Sequence, residues 1–410
     1  MDQGMLTRGG LLVFISFCAF LSLGTTSGLA QNSVAEFHNI LREKAAFDES
    51  GIAALDQGQT VVRLLPVQDK REVAVCGLVG LQVPAEVFLQ SFREGMVRRS
   101  NAAILEIGRL SGNPTLDDLR NLTFENGDLD DMKECVVGDC RLKLSSAMIE
   151  RFQKEVDLEA PDYRVQASQF LKQMLVDYVR DYLARGDVAL IEYKDKPKEI
   201  RLADEQRSLM SASSYVNDVI PKFSQSLKGF STAELHLVEN AIVWSKIKFG
   251  LKPVIAFNHI MIYRREAQTG PQILIASKQI YANHYYNSSL ALTAFVNVPG
   301  ANPGSYLFYE NRTRTDGLEG MFGKIKRGIV EDRAVNSLKG ILETSQASLN
   351  ARTFNPTESS AAAHAGPSWK RWKIGRVYVF LCLLLITALF ALFAFGSYDR
   401  KGTFRRAAVK

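Results

Sequence analysis

The sequence predicts an α+β protein: an antiparallel curved sheet closed by a long C-terminal helix, plus one C-terminal transmembrane helix. Three observations predict this class. Five apolar segments with short, turn-rich connections follow one another between residues 241 and 313, which is typical of an antiparallel meander. A long amphipathic segment follows, from Leu318 to about Ala347. An uncharged apolar stretch, Val377–Tyr398, then comes close to the end of the chain.

Residues 1–30 have the pattern of a signal peptide. Arg8 precedes the apolar run Leu11–Leu23, and small residues follow it, with Gly28 and Ala30 placed for cleavage before Gln31. An uncleaved signal anchor is the alternative. In either case we expect residues 31–347 to form an exported α+β domain, in a periplasmic or extracellular compartment.

Residues 370–398 comprise the predicted transmembrane helix with its flanks. As a helix, Val377–Tyr398 spans roughly 33 Å, enough to cross the hydrocarbon core of a bilayer. Trp369 and Trp372 fit an interfacial aromatic belt. A buried core helix is the alternative. Residues 348–369 lack apolar periodicity and indicate a flexible linker. Residues 399–410 form a basic tail, which the signal peptide places in the cytoplasm.

The net charge of +6 belongs to the membrane anchor. Residues 370–410 hold nine basic residues and one acidic residue, whereas residues 31–369 hold 40 basic and 42 acidic residues. A nucleic-acid partner would need a basic stripe on the folded part, so we expect no nucleic acid. The cations of the anchor instead favour membrane lipid as a partner. The sequence identifies no protein partner.

Cys135 and Cys140 flank the turn pair Gly138-Asp139. In an oxidising compartment this spacing predicts a small-loop disulfide, with two reduced thiols as the alternative. No second Cys pair or nearby His completes a zinc site, and we expect no metal. Cys76 lies in an apolar run and is expected to be a buried core thiol.

The elements before the meander alternate between helices and strands. Residues 101–145 are rich in Gly, Asn and acidic residues, which favours short strands and turns. The patterns predict helices over Val34–Leu55, from Pro84 onward, over Pro161–Arg185 and over Leu209–Leu227, and strands over Thr60–Leu65, Glu72–Leu81 and Asp187–Tyr193.

The meander strands carry large apolar residues on both alternating sets of positions. In Val254–Tyr263, for example, Phe257 and Met261 lie on one side while Ile260 and Ile262 lie on the other. A sheet with one wet face would alternate more cleanly, so both faces must be covered. Helices could cover both, or one face could line an apolar cavity. The predicted strands are Ala241–Phe249, Pro253–Arg264, Gln272–Tyr281, Ser288–Val298 and Ser305–Thr313.

The final helix is predicted to bury an apolar stripe against the sheet. Its stripe comprises Met321, Phe322, Ile325, Ile329, Leu338, Ile341 and Leu342. Residues 241–347 would then enclose an apolar cavity. The candidate cavity residues are Trp244, Phe257, His259, Met261, Tyr263, Tyr285, Phe295, Phe322 and Ile325.

This order of elements resembles the helix-grip fold of START lipid-transfer domains and birch-pollen-allergen-like proteins. The resemblance lies in REVAVCGLVGL followed by PAEVFLQSF, in the meander of 241–313 and in the helix of 318–347. It covers about two thirds of the chain, and residues 101–228 would be a large insertion. The resemblance implies binding of a lipid, sterol or other apolar small molecule between the sheet and the last helix.

Motifs of catalysis are absent. The chain has no HExxH, no GxSxG and no phosphate-binding GxxxxGK[ST], so we expect no catalytic residues and no cofactor. His259 and His284 are expected to be structural. The sequence thus favours a single-pass membrane-anchored cell-envelope protein that binds or transfers an apolar ligand such as a lipid. A non-catalytic interaction or structural module with a solid core is the alternative, and an enzyme is the third.

Overall fold

The computed structural model describes residues 24–96, 103–213, 237–248, 252–267, 270–319 and 323–351. These residues form an α+β fold with one large antiparallel sheet, and a C-terminal helix packs on that sheet. This part of the predicted fold class is confirmed. Most of the predicted signal peptide lies outside the described residues, as do nearly all of the linker, the predicted transmembrane helix and the basic tail.

Within the described residues, ten strands build two sheets. The strands are β1 (Val61–Leu64), β2 (Glu72–Leu81), β3 (Ile104–Arg109), β4 (Glu192–Tyr193), β5 (Ile200–Arg201), β6 (Leu237–Ile247), β7 (Val254–Ala267), β8 (Gly270–Ala282), β9 (Tyr286–Asn297) and β10 (Ser305–Thr315). The large sheet has the order β1-β2-β10-β9-β8-β7-β6-β3, and its neighbours are antiparallel. The five predicted meander strands are therefore confirmed as β6 to β10, and β2 has the predicted bounds.

Eight α-helices surround the sheet in the described part of the chain. They are α1 (Gly24–Glu43), α2 (Glu49–Asp56), α3 (Ala85–Gly95), α4 (Asn126–Lys133), α5 (Ser146–Glu155), α6 (Tyr163–Arg185), α7 (Leu202–Ala212) and α8 (Gly323–Asn350). Helix α6 ends where predicted, at Gly186, whose φ of 65° suits a residue without a Cβ. Helix α1 runs across the expected cleavage zone.

Three local predictions were wrong. The predicted helix Val34–Leu55 is interrupted, because α1 ends at Glu43 and α2 begins at Glu49 with Asp48 as its N-cap. Residues 187–193 do not form one strand, because a 3₁₀ helix occupies Gly186–Ala189 and the amide of Ile191 donates to the hydroxyl of Tyr178 instead of to a ladder. Residues 101–145 contain helix α4 in addition to short elements. The predicted helix Leu209–Leu227 begins earlier, as α7 from Leu202, and its later residues lie outside the described part.

The two faces of the large sheet have different covers. We call the face under α3 and α8 the closing face; its core includes Phe88 of α3 and Leu338 of α8. We call the opposite face the insertion face. Helices α1, α2 and α7 cover one part of it, and α6 covers the other with Tyr178 and Tyr182. Helices α4 and α5 form a separate core with one side of α6.

Helix α8 packs on β2 through a line of residues spaced mainly four apart. Val330, Ala334, Leu338 and Leu342 are buried along this line. A Cβ at Gly77 of β2 would lie 2.6 Å from the Leu342 side chain, so glycine permits this close approach. The predicted stripe is wrong at its N-terminal end, because Ile325 and Ile329 lie off this line and are exposed.

Candidate functional site

The closing face is an apolar layer between the sheet and the two helices α3 and α8. Strands from both ends of the chain contribute to it, including Val75 of β2 and Leu307 of β10. Phe88 of α3 stacks on Phe295 of β9 with ring centroids 5.1 Å apart. An apolar layer of this kind between sheet and helix is the place where the sequence predicted a ligand.

Two polar side chains are buried in this layer without a full set of hydrogen bonds. Asn311 is fully buried between Val75 and Ala291, which both belong to the closing-face core. Its Oδ1 accepts a hydrogen bond from Thr313 Oγ1 at 3.0 Å, whereas its Nδ2 has no partner within the described residues. A buried donor without a partner costs about 1–3 kcal/mol.

Ser245 repeats this situation on β6. It lies opposite Ala256 of β7, is 1% exposed, and its Oγ has no hydrogen-bond partner in the part of the chain described. Ser345 on α8 is buried in the same way. Groups such as these are normally satisfied by ordered water or by a polar group of a ligand. The closing face therefore combines a large apolar area with a few buried polar groups that a ligand could hydrogen-bond.

The predicted cavity residues do not come together in one place. Phe295 and the half-buried Tyr285 pack with the closing-face core. Trp244 and Phe257 pack on the insertion face against α6. Phe322 lies outside the described residues. Met261 and Tyr263 pack on the insertion face in the core that α7 shares, and Ile325 is 66% exposed on α8.

The aromatic residues between the sheet and α6 are closely packed. Trp244 donates a hydrogen bond from Nε1 to the carbonyl of Asp118 at 3.0 Å. A Cβ at Gly108 would lie 2.6 Å from the indole ring. Phe257 makes an edge contact with Tyr281. These contacts make Trp244 and Phe257 part of a packed core.

His259 lies in the same interface, as a satisfied buried side chain. Its Nδ1 lies 2.8 Å from the hydroxyl of Tyr182, and its Nε2 bonds Oδ1 of Asn240. Burial lowers the pKa of His259 to about 3, with the charge of Lys278 adding to the shift. His259 is therefore neutral at physiological pH. Lys278 is itself buried and pairs with Asp187.

His284 belongs to a second polar group, which joins α4 to the meander. Its Nε2 lies 3.0 Å from Oδ2 of Asp128, and Nζ of Lys252 lies 2.6 Å from both Asp128 Oδ1 and Asp131 Oδ2. Burial alone would raise the pKa of Asp128. The hydrogen bond and charge of His284, together with Lys252, outweigh burial and hold that pKa below its usual range.

The disulfide Cys135–Cys140 is present, as the sequence predicted. Its loop is fastened by backbone hydrogen bonds, from Gly138 to the carbonyl of Lys194 at 2.8 Å and from Cys140 to that of Asp195 at 2.9 Å. The disulfide therefore closes the loop after α4, and the two backbone hydrogen bonds join this loop to the segment after β4. Cys76 is a buried free thiol, and burial raises its pKa far above the usual range.

The sequence did not predict a buried ionic network that lies on the insertion face. Arg312 bonds Glu72 at 2.8 Å and Glu310 at 2.6 Å, and Arg314 bonds Glu72 at 2.9 Å. Burial raises the pKa of Glu310, although Arg312 opposes that shift. The alternating charges at 310, 312 and 314 were the available signal, because they share one face of a strand.

A cleft of about 220 Å³ opens beside this network. It is lined by Arg71, Lys198, Glu199, Ile200, Arg201, Asp204 and Glu205. Salt bridges join Arg71 to Glu205 at 3.0 Å and Arg314 to Glu205 at 3.0 Å. Its lining is charged apart from Ile200, so the cleft does not suit an apolar ligand.

The sequence also predicted that there is no metal site and that one helix crosses the membrane. In the part of the chain that the structure describes, no three His, Cys, Asp or Glu side chains meet as a metal site. Among the same residues, no helix is both long enough and apolar enough to span a bilayer, and Val377–Tyr398 lies outside them.

Comparison with known proteins gives no relative. No protein-family model, no curated protein and no solved structure matches this chain.

Proposed function

We propose that this chain is a membrane-anchored cell-envelope protein whose exported domain binds or passes on an apolar ligand such as a lipid. The ligand would lie between the closing face and the helices α3 and α8. The observation that carries the proposal is the apolar layer there, in which Asn311 Nδ2 and Ser245 Oγ are buried with no hydrogen-bond partner among the described residues. A ligand with an apolar body and a polar end would satisfy both features.

The order of strands supports this proposal. Strand β2 pairs with β10, the meander from β6 to β10 completes the sheet, and α8 then packs back on β2. The helix-grip domains that the sequence resembles have an early strand, a curled meander and a long last helix in the same order. Their apolar ligands lie between the sheet and that helix, which is the closing face here.

The pattern at the two ends of the chain supports the membrane anchor. The signal-like segment 1–30 and the uncharged segment Val377–Tyr398 would leave residues 31–347 outside and residues 399–410 inside the cytoplasm. A protease added outside intact cells or spheroplasts should remove the domain and spare a tag placed after Lys410. Cleavage of that tag would contradict this topology.

A solid-core interaction module is the second candidate. The stacking of Phe88 on Phe295 and the close approach of Leu342 to Gly77 favour it, because both contacts fill the closing face with side chains. Under this alternative, ordered water would satisfy Asn311 and Ser245.

Bound lipid separates the two candidates. The full chain is produced with a protease site in the linker 348–369, the domain is released from washed membranes without detergent, and its organic extract is analysed by mass spectrometry. We expect a co-purifying apolar molecule in about stoichiometric amount. Absence of any such molecule, with no uptake of a fluorescent fatty acid, would favour the solid-core module.

A variant pair places the ligand on the closing face. Asn311→Leu removes the buried amide that the ligand would satisfy, and we expect at least a tenfold loss of a ligand with a polar end. Ser288→Ala is the matched control, since Ser288 is also fully buried with an unpartnered hydroxyl and lies next to Ser289 on the other side of β9. Equal retention by both variants would contradict this location.

A further inference from the structure

The first turns of α8 present an apolar surface to solvent. Ile325 is 66% exposed and Ile329, one turn later, is 40% exposed. Gly328 between them is also exposed. Seven large apolar side chains are this exposed in the described part of the chain, and these two alone are a turn apart on one helix. The later exposed positions of α8 carry no large apolar side chain, and they include Asp332, Asn336 and Lys339.

Basic groups lie beside this surface. Arg327 follows Ile325 on α8, pairs with Glu331 one turn later at 2.9 Å, and bonds the carbonyls of Lys70, which precedes β2, and Glu72, which begins it. The Lys70 side chain is exposed and carries the charge beside this surface that has no ion pair among the described residues. We call Ile325, Ile329, Arg327 and Lys70 the helix-tip patch. Its combination of apolar and cationic side chains matches the interface of a bilayer, with apolar groups below and anionic head groups above.

We propose that the helix-tip patch docks the domain on the surface of the membrane that holds its own anchor. This inference rests on the proposed function, because it requires the transmembrane helix at 370–398. It adds the surface through which the domain meets lipid. It also explains why two isoleucines of a closing helix face outward while the sheet buries Val330 and Leu338 of the same helix.

The length of chain after α8 permits this contact. From Ile325 to Asn350, the helix spans about 38 Å. Residues 352–369 number eighteen, which is enough to reach over at most about 60 Å. The tether therefore lets α8 lie along the membrane with its first turn on the surface. Because the tether also keeps the domain close to the bilayer, a weak contact suffices.

Lipid photolabelling of the full chain tests the patch. The protein is reconstituted into vesicles of four parts phosphatidylcholine to one part phosphatidylglycerol, with a trace of phosphatidylcholine that carries a diazirine on its acyl chain. After irradiation, labelled peptides are identified by mass spectrometry. We expect label on the peptide that contains Ile325 and Ile329, in addition to label on residues 377–398.

A pair of double variants gives the control. Ile325→Ser with Ile329→Ser should reduce label on that peptide at least about fivefold, because two apolar contacts with the acyl region are lost. Val165→Ser with Val188→Ser should leave it unchanged, although both valines are more exposed, at 67% and 79%. Circular dichroism melts of both variants should match the wild type, since none of the four side chains is buried.

The possible results of this experiment distinguish the helix-tip patch from the proposed function on which it rests. Label on residues 377–398 without label on α8 would overturn the helix-tip patch and leave the anchor in place. Label on neither would overturn both the patch and the anchor. Label on closing-face strands alone would overturn the patch while supporting ligand uptake. Unchanged α8 label in the isoleucine variant would also overturn the patch.

Discussion

Buried polar side chains on the two faces of the large sheet differ in their hydrogen-bond partners. On the insertion face, polar side chains have specific partners: Glu72 holds two arginines, and His259 lies between Tyr182 and Asn240. On the closing face, Asn311 and Ser245 are equally buried, yet Asn311 Nδ2 and Ser245 Oγ have no partner among the described residues. The buried charged groups of the insertion face are thus paired, although its Ser288 hydroxyl has no partner in the same part of the chain, whereas the closing face keeps an amide donor that another molecule could satisfy.

The largest expected effect comes from removing an aromatic anchor of the insertion face. Phe257→Ala should lower the free energy of unfolding by about 3–5 kcal/mol, because Phe257 is fully buried against Tyr281 and its site cannot collapse easily. Denaturant unfolding of purified protein measures this loss. Val165→Ala, at a side chain 67% exposed, should change it by less than about 0.5 kcal/mol. A small effect of Phe257→Ala would show that this face is loosely packed.

Acid should destabilise the domain through His259. Its folded pKa of about 3 lies below the unfolded value of about 6.5, so the unfolded chain binds more protons between these values and stability is lost as the pH falls. The loss should approach about 1.4 kcal/mol per pH unit in this window. His259→Gln should flatten the dependence of the urea midpoint between pH 6.5 and pH 4. Val165→Ala, which removes no titratable group and lies at a side chain 67% exposed, should leave that dependence intact.

Loss of charge in the buried network should have the next largest effect. Glu72→Gln should cost about 2–3 kcal/mol, because Arg312 and Arg314 would each lose a charged acceptor while remaining buried. The equilibrium unfolding midpoint reports this change. Asp204→Asn removes an exposed partner of Arg207 and should cost about 0–1 kcal/mol. Equal effects of the two substitutions would indicate that water reaches the network.

The smallest effect should have the opposite sign and lies on the closing face. Asn311→Leu removes an amide that lacks a partner for Nδ2, so we expect stability to be unchanged or raised by about 1 kcal/mol in ligand-free protein. Thr313 loses its acceptor but keeps its contact with Ser289 Oγ at 3.0 Å. Thermal melts of delipidated protein provide the measurement. A large destabilisation would show that Asn311 is a structural part of a solid core, and the contrast between the faces would disappear.

Local sequence patterns predicted the sheet well. The alternation of apolar residues and the turn residues between them located β2 and the five meander strands, because these signals lie within each strand. The alternation of apolar residues predicted the wrong structure where a hydrogen bond to a residue of another element determines the local conformation. Residues 187–193 became a 3₁₀ helix and a short strand because Tyr178 of α6 takes the amide of Ile191.

The candidate site was harder to predict for the same reason. Alternation shows that Phe257 and Ile260 lie on opposite faces, but it does not tell which helix covers which face. The predicted cavity set therefore mixed residues of both faces. The stripe of α8 continued by sequence spacing through Ile325, whereas contact with β2 follows Val330 to Leu342. Nothing in the strand β10 alone revealed that Arg314 would meet Glu72, which lies 242 residues earlier.

That distance has a consequence for biogenesis. Strand β2 is synthesised long before β10, yet β10 is its neighbour along ten residue pairs. Until β10 arrives, the edge of β2 is open to pairing with another chain, and the slow closure of such remote contacts prolongs the hazard. A chaperone that shields nascent strands would therefore be decisive for the yield of this protein.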